Sequence, residues 1–202
     1  MVTIGLTGNF GSGKTTVAAM FRMHGVQIID VDKEAHLLMK KDVFCQRAIA
    51  RAFGDHLIGK KGVDRVTLGQ VVFNDPRALK ILEDILHPRI RLKIIDQKKR
   101  SRNGMVMVDA AILIEAGWHK LVDSIVVVKA RRDVQIRRAM KRTGLSRSDV
   151  LKRILRQMPL GQKIKFADYV IDNSGTPATT RKHVERIFRS LKKTSIQQEQ
   201  AS

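Results

Sequence analysis

A run of glycines ending in Lys14 and Thr15 is the part of this sequence best suited to chemistry. Residues 8–15 read Gly-Asn-Phe-Gly-Ser-Gly-Lys-Thr, a full match to the pattern GxxxxGK(S/T). Glycines let the backbone curl so that its N–H groups surround phosphate oxygens, while the lysine reaches the β and γ phosphates. The Thr15 hydroxyl is placed to hold Mg²⁺. The pattern predicts a nucleoside triphosphate site; the alternative is a glycine-rich turn that only joins two elements.

Three aspartates at predicted strand ends could complete such a site. Asp109 ends the apolar run 105–109, where a phosphate-loop protein keeps the acid that orients the Mg²⁺ water shell, but an aspartate there is as often a turn former or helix cap. Asp30 and Asp32 follow the run 26–30, at the crevice where parallel sheets place ligands. If the extended backbone of this strand continues through residue 32, both aspartate side chains point to the same side of the sheet, and Asp32 lies nearer an acceptor hydroxyl. The alternative is Asp32 as the N-cap of the next helix.

Residues 131–166 carry twelve Lys and Arg against two Asp. Transfer of a γ-phosphoryl group concentrates negative charge that guanidinium groups neutralise, so the segment predicts an arginine-bearing lid, part of which is ordinary solvated surface. Ser146 with Asp149 predicts a helix start, and Pro159 predicts its end. The apolar face of that helix is predicted at Val150, Leu151, Ile154, Leu155 and Met158.

Five apolar segments must form the strands that position these groups, and they are residues 2–7, 26–30, 105–109, 124–128 and 169–172. Such runs are typical of strands buried on both faces of a parallel sheet. Residues 33–102 lack a clear strand and are interpreted as mainly helical, with a turn at Gly59–Gly62 and a helix interruption at His87–Pro88. The predicted fold class is α/β, a five-stranded parallel sheet in a single domain. The core of this domain is predicted to comprise residues 1–32, 103–130 and 167–194. The helical insertion is predicted at residues 33–102 and the basic lid at residues 131–166.

Composition narrows the functional classes. The 202 residues are 43% hydrophobic and 29% charged, which excludes wholesale disorder, and one cysteine, Cys45, excludes an internal disulfide framework. We expect no membrane-spanning helix, no secretory signal and a cytoplasmic location. The net charge of +20 predicts anionic partners: nucleic acid, an acidic membrane surface or a phosphorylated small molecule. Aromatic residues at 4% weaken the case for a single-strand binder.

Several segments together resemble the dephospho-CoA kinase family. They are GLTGNFGSGKTTVA, IDVDKEAH, FNDPRALKILEDILHPRI, VDAAILIEAG and DYVIDNSG, in that family's order and spacing, and the similarity runs from about residue 2 to 190. The resemblance implies a nucleoside-monophosphate-kinase-like fold with a helical substrate-binding insertion and a mobile lid. It also implies transfer of the ATP γ-phosphoryl group to the ribose 3'-hydroxyl of dephospho-CoA, with Mg²⁺.

The resemblance also implies roles for individual residues. Asp32 takes the base position, and Lys14 and Arg142 complete the catalytic set. ATP would be bound by Gly8, Gly11, Ser12, Gly13, Lys14, Thr15 and Thr16 at its phosphates and by Asn173 and Gly175 near adenine. The acceptor would meet Asp32, His87, Pro88, Leu113 and Glu115, and Mg²⁺ would meet Thr15 and Asp109.

Two departures from the family pattern carry consequences. Asn9 and Phe10 replace Gly-Ile, at loop positions that are not the glycines around phosphate, so activity is expected to survive. Ala111 replaces a proline, and a looser strand end is expected there. Two alternatives stay open: another small-molecule or nucleotide kinase of the same fold, and a nucleic-acid-associated ATPase. Nucleic acid binding is nevertheless not the expected role, and we expect a monomer or a weak homo-oligomer.

Overall fold

The chain folds into two compact units. A computed structural model describes residues 2–101 and 104–200, with side chains for all of these except 73, 74 and 195–200. One unit joins Met1–Ile29 to Lys98–Ser202, and the other is Asp30–Gln97. The predicted division into core, insertion and lid stays a prediction, and its limit at residues 102 and 103 lies outside the described residues.

The strands are β1 (Val2–Thr7), β2 (Gln27–Asp30), β3 (Ile58–Gly59), β4 (Gly62–Val63), β5 (Met105–Asp109), β6 (Ser124–Lys129) and β7 (Tyr169–Asp172). The helices are α1 (Lys14–Met23), α2 (Val31–Lys41), α3 (Val43–Phe53), α4 (Arg65–Asn74), α5 (Pro76–Arg100), α6 (Arg132–Thr143), α7 (Arg147–Leu155), α8 (Leu160–Ile164) and α9 (Pro177–Gln200). None of the helices in the described part of the chain has the length and apolarity needed to cross a membrane.

The predicted five-stranded parallel sheet is confirmed. Its order is β2-β5-β1-β6-β7, and β1 lies between β5 and β6 in parallel pairing. Leu6 pairs with Asp109 and Thr7 with Val127, so the carboxyl ends of the three central strands meet at one edge. Because ligands of parallel sheets bind at that edge, the register brings Asp109 beside the glycine loop.

The main core of the sheet unit explains why these apolar runs became central strands. Every residue of β1 is buried, and Phe21 of α1 and Leu191 of α9 pack into the same cluster. Each large apolar side chain buried in this way contributes about 1.5–3 kcal/mol. The strands therefore hold the loop after β1 on a rigid base.

The unit Asp30–Gln97 is mainly helical, as predicted, with two exceptions. Strands β3 and β4 pair as a short antiparallel hairpin around the predicted turn, and two-residue strands are too short for a sequence pattern. The predicted interruption at His87–Pro88 is wrong, because α5 continues through Pro88. Proline removes one backbone hydrogen bond, and the buried side chains Leu86, Ile90 and Ile94 hold the helix on either side of it.

The basic segment follows its predicted pattern only in part. Ser146 caps α7, since its hydroxyl accepts the Asp149 N–H at 3.1 Å, and Val150 and Ile154 are buried. The helix nevertheless ends at Leu155, before Pro159, and Leu155 is 76% exposed, so the predicted apolar face is too long. After Leu155 the chain leaves the helix, and the Gln157 side chain and the Met158 carbonyl oxygen bond to Phe10 and Asn9.

Candidate active site

The loop between β1 and α1 has a backbone that only glycine adopts readily. Gly11 and Gly13 have φ angles of 80° and 90°, in the left-handed region. A Cβ on Gly11 would lie 2.5 Å from the Gln135 carbonyl oxygen, and one on Gly13 would collide with the Asn173 amide. The glycines are therefore required by both conformation and close packing.

The start of α1 is suited to an anion. Gly13 is the N-cap and has no side chain to accept the first helical N–H groups, and the first turn carries no acidic residue. These N–H groups and the helix dipole favour phosphate oxygens. Lys14 is half-buried at the first helical position, and Thr15 and Thr16 are exposed after it. This geometry is compatible with phosphate binding, and the binding role of these residues stays a prediction.

Asn173 supports this loop from the end of β7. Its side-chain amide donates to the Ser12 carbonyl oxygen at 2.8 Å, and its side-chain oxygen accepts the Thr180 hydroxyl at 2.9 Å. Its own carbonyl oxygen accepts from the Arg138 guanidinium at 2.7 Å. Asn173 is 5% exposed, so the structure places this predicted adenine neighbour between the loop and α9. Gly175, the other predicted adenine neighbour, is exposed two residues later.

Oxygen donors are present where Mg²⁺ was predicted. Asp109 is half-buried at the end of β5, beside the strand that leads into the loop, and the Thr15 hydroxyl lies at the start of α1. Hydroxyl and carboxylate oxygens suit Mg²⁺, which keeps several waters and phosphate oxygens as its other ligands. In residues 2–101 and 104–200, no cluster of three or more His, Cys, Asp or Glu could hold a metal ion by itself.

The basic helices pack directly on the loop through Phe10. The Arg142 and Arg153 guanidinium groups lie 5.3 Å and 5.7 Å from the centre of its ring. Its backbone N–H donates to the Gln157 side-chain oxygen at 2.7 Å, and the Asn9 amide donates to the Met158 carbonyl oxygen at 3.1 Å. Arg142 therefore lies beside the loop, and its predicted contact with the transferring phosphate stays a prediction.

A buried ion pair joins the segment after β5 to α8. Lys163 is 0% exposed, and its ammonium donates to the Glu115 carboxylate at 2.8 and 3.0 Å and to the Ala111 carbonyl oxygen at 2.6 Å. Burial lowers the pKa of Lys163, Glu115 opposes that change, and the nearby charge of Lys14 lowers the pKa further. Thr7 also donates to the Ala111 carbonyl at 3.1 Å, so two side chains bond to the residue that replaces the family proline.

Two predicted acceptor residues therefore have protein neighbours. The Glu115 carboxylate bonds to Lys163 and accepts the Met158 N–H at 3.1 Å. Leu113 is 0% exposed and packs closely on Gly5. A Cβ added to Gly5 would lie 2.5 Å from the Leu113 side chain. Their contact with an acceptor stays a prediction.

The other unit holds the remaining predicted residues. Asp30 caps α2 by accepting the Lys33 N–H at 3.1 Å, and the helix begins at Val31. The alternative of Asp32 as N-cap is therefore wrong, as is the extended geometry expected through residues 30–32. Asp32 lies exposed in the first helical turn.

His87 and Pro88 lie side by side in the middle of α5. Burial lowers the pKa of the half-buried His87, and the charge of Lys80 lowers it further. These effects favour the uncharged form of the imidazole relative to a free histidine. A neutral ring suits an uncharged contact with a ligand and brings no additional positive charge.

Three residues that bond around the loop were not singled out by the sequence. Arg138 and Lys163 were visible only as members of a basic segment, and Gln157 as an isolated glutamine. Their roles depend on tertiary contacts with Asn173, Glu115 and Phe10, which no local pattern encodes.

A phosphate loop between a central parallel strand and a helix, with arginine-bearing helices packed on it, defines a P-loop kinase. The family model described as dephospho-CoA kinase matches residues 2–179. A dephospho-CoA kinase of Aquifex aeolicus is 40% identical over 95% of this chain and 98% of its own length. The chain belongs to the dephospho-CoA kinase family.

Solved structures agree with this assignment. A crystal structure of a Thermus thermophilus protein has 33% identity and a TM-score of 0.83, covering 94% of this chain and 96% of its own. Dephospho-CoA kinase from Campylobacter jejuni has 28% identity and a TM-score of 0.69, covering 95% of this chain and 98% of its own. The similarity therefore spans both units and extends beyond the phosphate loop.

Proposed function

We propose that this chain transfers the γ-phosphoryl group of ATP to the ribose 3'-hydroxyl of dephospho-CoA, giving coenzyme A and ADP. The observation that carries the proposal is the family match over residues 2–179, which contains both the uncapped phosphate loop and Asp32. We include a cytoplasmic location and a monomeric or weakly associated state in the proposal.

The reaction is an in-line displacement. The acceptor 3'-oxygen forms a bond to the γ-phosphorus as the bond from that phosphorus to the β,γ-bridging oxygen breaks, and ADP leaves with the electron pair. Asp32 orients the hydroxyl and accepts its proton late in a loose transition state. Lys14 and Arg142 neutralise charge on the transferring group. Bound Mg²⁺, held by Thr15 and by Asp109 through water, would supply further neutralisation of the phosphate oxygens.

The remaining predicted residues complete the two binding regions. Gly8, Gly11, Ser12, Gly13 and Thr16 bind ATP phosphates mainly through backbone N–H groups. Asn173 holds the loop, and Gly175 leaves room for adenine. The acceptor region is assigned to His87, Pro88 and Leu113, whereas Glu115, whose carboxylate bonds to Lys163, is left out of it. Burial lowers the pKa of His87, which favours the uncharged imidazole at this position.

The test is ADP formation by the purified protein with ATP, Mg²⁺ and a panel of acceptors. We expect turnover with dephospho-CoA at least about 100-fold above that with nucleoside monophosphates or simple alcohols. Preference for another acceptor would favour the same-fold alternative. ADP formation that needs a polynucleotide, and that falls with added salt, would favour the nucleic-acid-associated ATPase.

Asp32→Asn tests the assigned base. Because the amide cannot accept the proton, we expect turnover to fall at least about tenfold while ATP affinity is retained. Asp55→Asn, an exposed acid of the same unit, serves as the control and should keep normal turnover. Near-normal turnover of Asp32→Asn would remove Asp32 from the mechanism.

A further inference from the structure

The Lys163 ammonium is a costly group to bury. It is 0% exposed, and the Glu115 side chain that neutralises it is 24% exposed. A buried ion pair often adds little net stability compared with apolar residues, because both charges lose hydration. Its value here is better sought in the positions of the groups that it holds.

Those groups connect the ion pair to the phosphate loop in two steps. Glu115 accepts the Met158 N–H at 3.1 Å while bonding to Lys163, which fixes the backbone just after α7. From there, the Met158 carbonyl oxygen accepts the Asn9 amide, and the neighbouring Gln157 side chain accepts the Phe10 N–H at 2.7 Å. The ion pair and the loop thus share Met158 as a hydrogen-bond partner, and Gln157, which holds Phe10, is its neighbour in the chain.

We propose that Lys163 and Glu115 act as a clamp that sets residues 157 and 158 against the phosphate loop, and that both are positioning residues for ATP. The Glu115 carboxylate then serves the nucleotide side of the site and not the acceptor. The assignment of the chemical step rests on the proposed function, whereas the effect on ATP binding does not.

The clamp makes two predictions that a merely structural ion pair does not. First, ATP affinity changes while affinity for dephospho-CoA does not, because the bonds from Glu115 through Met158 lead to the phosphate loop. Second, the effects of Lys163 and Gln157 are not independent, because the Met158 backbone that Glu115 holds directly follows Gln157 and so sets where Gln157 meets Phe10. Residues that share a network show such non-additivity, and distant independent residues do not.

The experiment measures ATP dissociation constants by equilibrium binding in the absence of acceptor, and KM for dephospho-CoA by turnover. Lys163→Met and Glu115→Gln are expected to weaken ATP binding about five- to tenfold, with KM for dephospho-CoA changed less than about twofold. Lys165→Met removes the same charge from an exposed neighbour and should leave both constants unchanged. The double variant Lys163→Met/Gln157→Ala should bind ATP no more weakly than the weaker of its two single variants.

Contrary results are equally definite. ATP affinity unchanged in Glu115→Gln, or a rise confined to KM for dephospho-CoA, would overturn the clamp and return Glu115 to the acceptor. Effects of Lys163→Met and Gln157→Ala that multiply would also overturn it. If Lys163→Met does not fold, Glu115→Gln and Gln157→Ala decide by the same measurements. If the protein does not phosphorylate dephospho-CoA but the variants show the expected changes in ATP dissociation constant, the proposed function is wrong and the clamp is supported.

Discussion

Individual glycines set the shape of the phosphate loop through different neighbours. Gly11 is limited by the carbonyl of Gln135 and Gly13 by the amide of Asn173. The GxxxxGK(S/T) pattern predicts that glycines are needed at such places, but it does not identify what lies against them. Those neighbours come from residues more than 100 positions away, so only the folded chain reveals them.

Gly13→Ala should damage both stability and ATP binding. The left-handed φ of 90° costs a residue with a Cβ about 1–2 kcal/mol, and the collision with Asn173 adds to it. We expect a lower free energy of unfolding in urea and at least about tenfold weaker ATP binding. Gly161→Ala is the matched control: it lies in α8 with nothing within 4 Å of the added Cβ, so its stability should be unchanged or up to about 1 kcal/mol higher. Equal behaviour of the two variants would contradict the assigned packing.

The thiol of Cys45 gives a test by pH. Burial raises its pKa from 9.0 to about 11, so the folded chain keeps the thiol protonated more strongly than the unfolded chain does. The resulting stabilisation is fully present below pH 9.0 and is lost as pH rises towards 11. We expect the free energy of unfolding to fall more over that range than in Cys45→Ala. Equal falls in the two proteins, or rapid labelling of the native thiol by a thiol reagent at pH 8, would contradict it.

Strands and helices were predictable from the sequence wherever a run of neighbouring residues carried a clear hydrophobic or capping pattern. The five strands of the main sheet follow from β-branched runs, and Ser146 marks the start of α7. The end of α7 was not predictable, because Gln157 and Met158 bond to Phe10 and Asn9. Asp30 and Asp32 were ambiguous for a related reason, since either carboxylate could cap a helix and only the observed start of α2 decides between them.

The contact between loop and basic helices depends on an aromatic ring at residue 10. Phe10→Leu keeps an apolar side chain against the buried cluster of Ile136 and Ile154 but removes the ring faced by Arg142 and Arg153. Each cation–π contact is worth about 0.5–1 kcal/mol, so loss of both costs about 1–2 kcal/mol, and we expect kcat/KM for ATP to fall about five- to thirtyfold. Phe166→Leu, which removes a different partly exposed ring, should leave it unchanged. A normal value for Phe10→Leu would mean that the ring only fills space.

At the scale of the whole molecule, the net charge of +20 is compatible with more than one anionic partner. A basic surface draws phosphorylated small molecules into a cleft as readily as it draws nucleic acid, because long-range attraction does not distinguish them. Composition therefore did not decide between these partners. The choice of a kinase that acts on a phosphorylated small molecule came from the motifs, the fold and the family match. The acceptor site was the least predictable part, since the structure gives Glu115 and Leu113 protein neighbours that the sequence does not reveal.

Identification of the product by phosphorus NMR tests the central claim most directly. ATP, Mg²⁺ and dephospho-CoA are incubated with the protein, and the mixture is compared with authentic coenzyme A. We predict a new phosphomonoester resonance matching the 3'-phosphate of coenzyme A, formed in equal amount with ADP. ADP accompanied only by inorganic phosphate, with dephospho-CoA unchanged, would contradict the account.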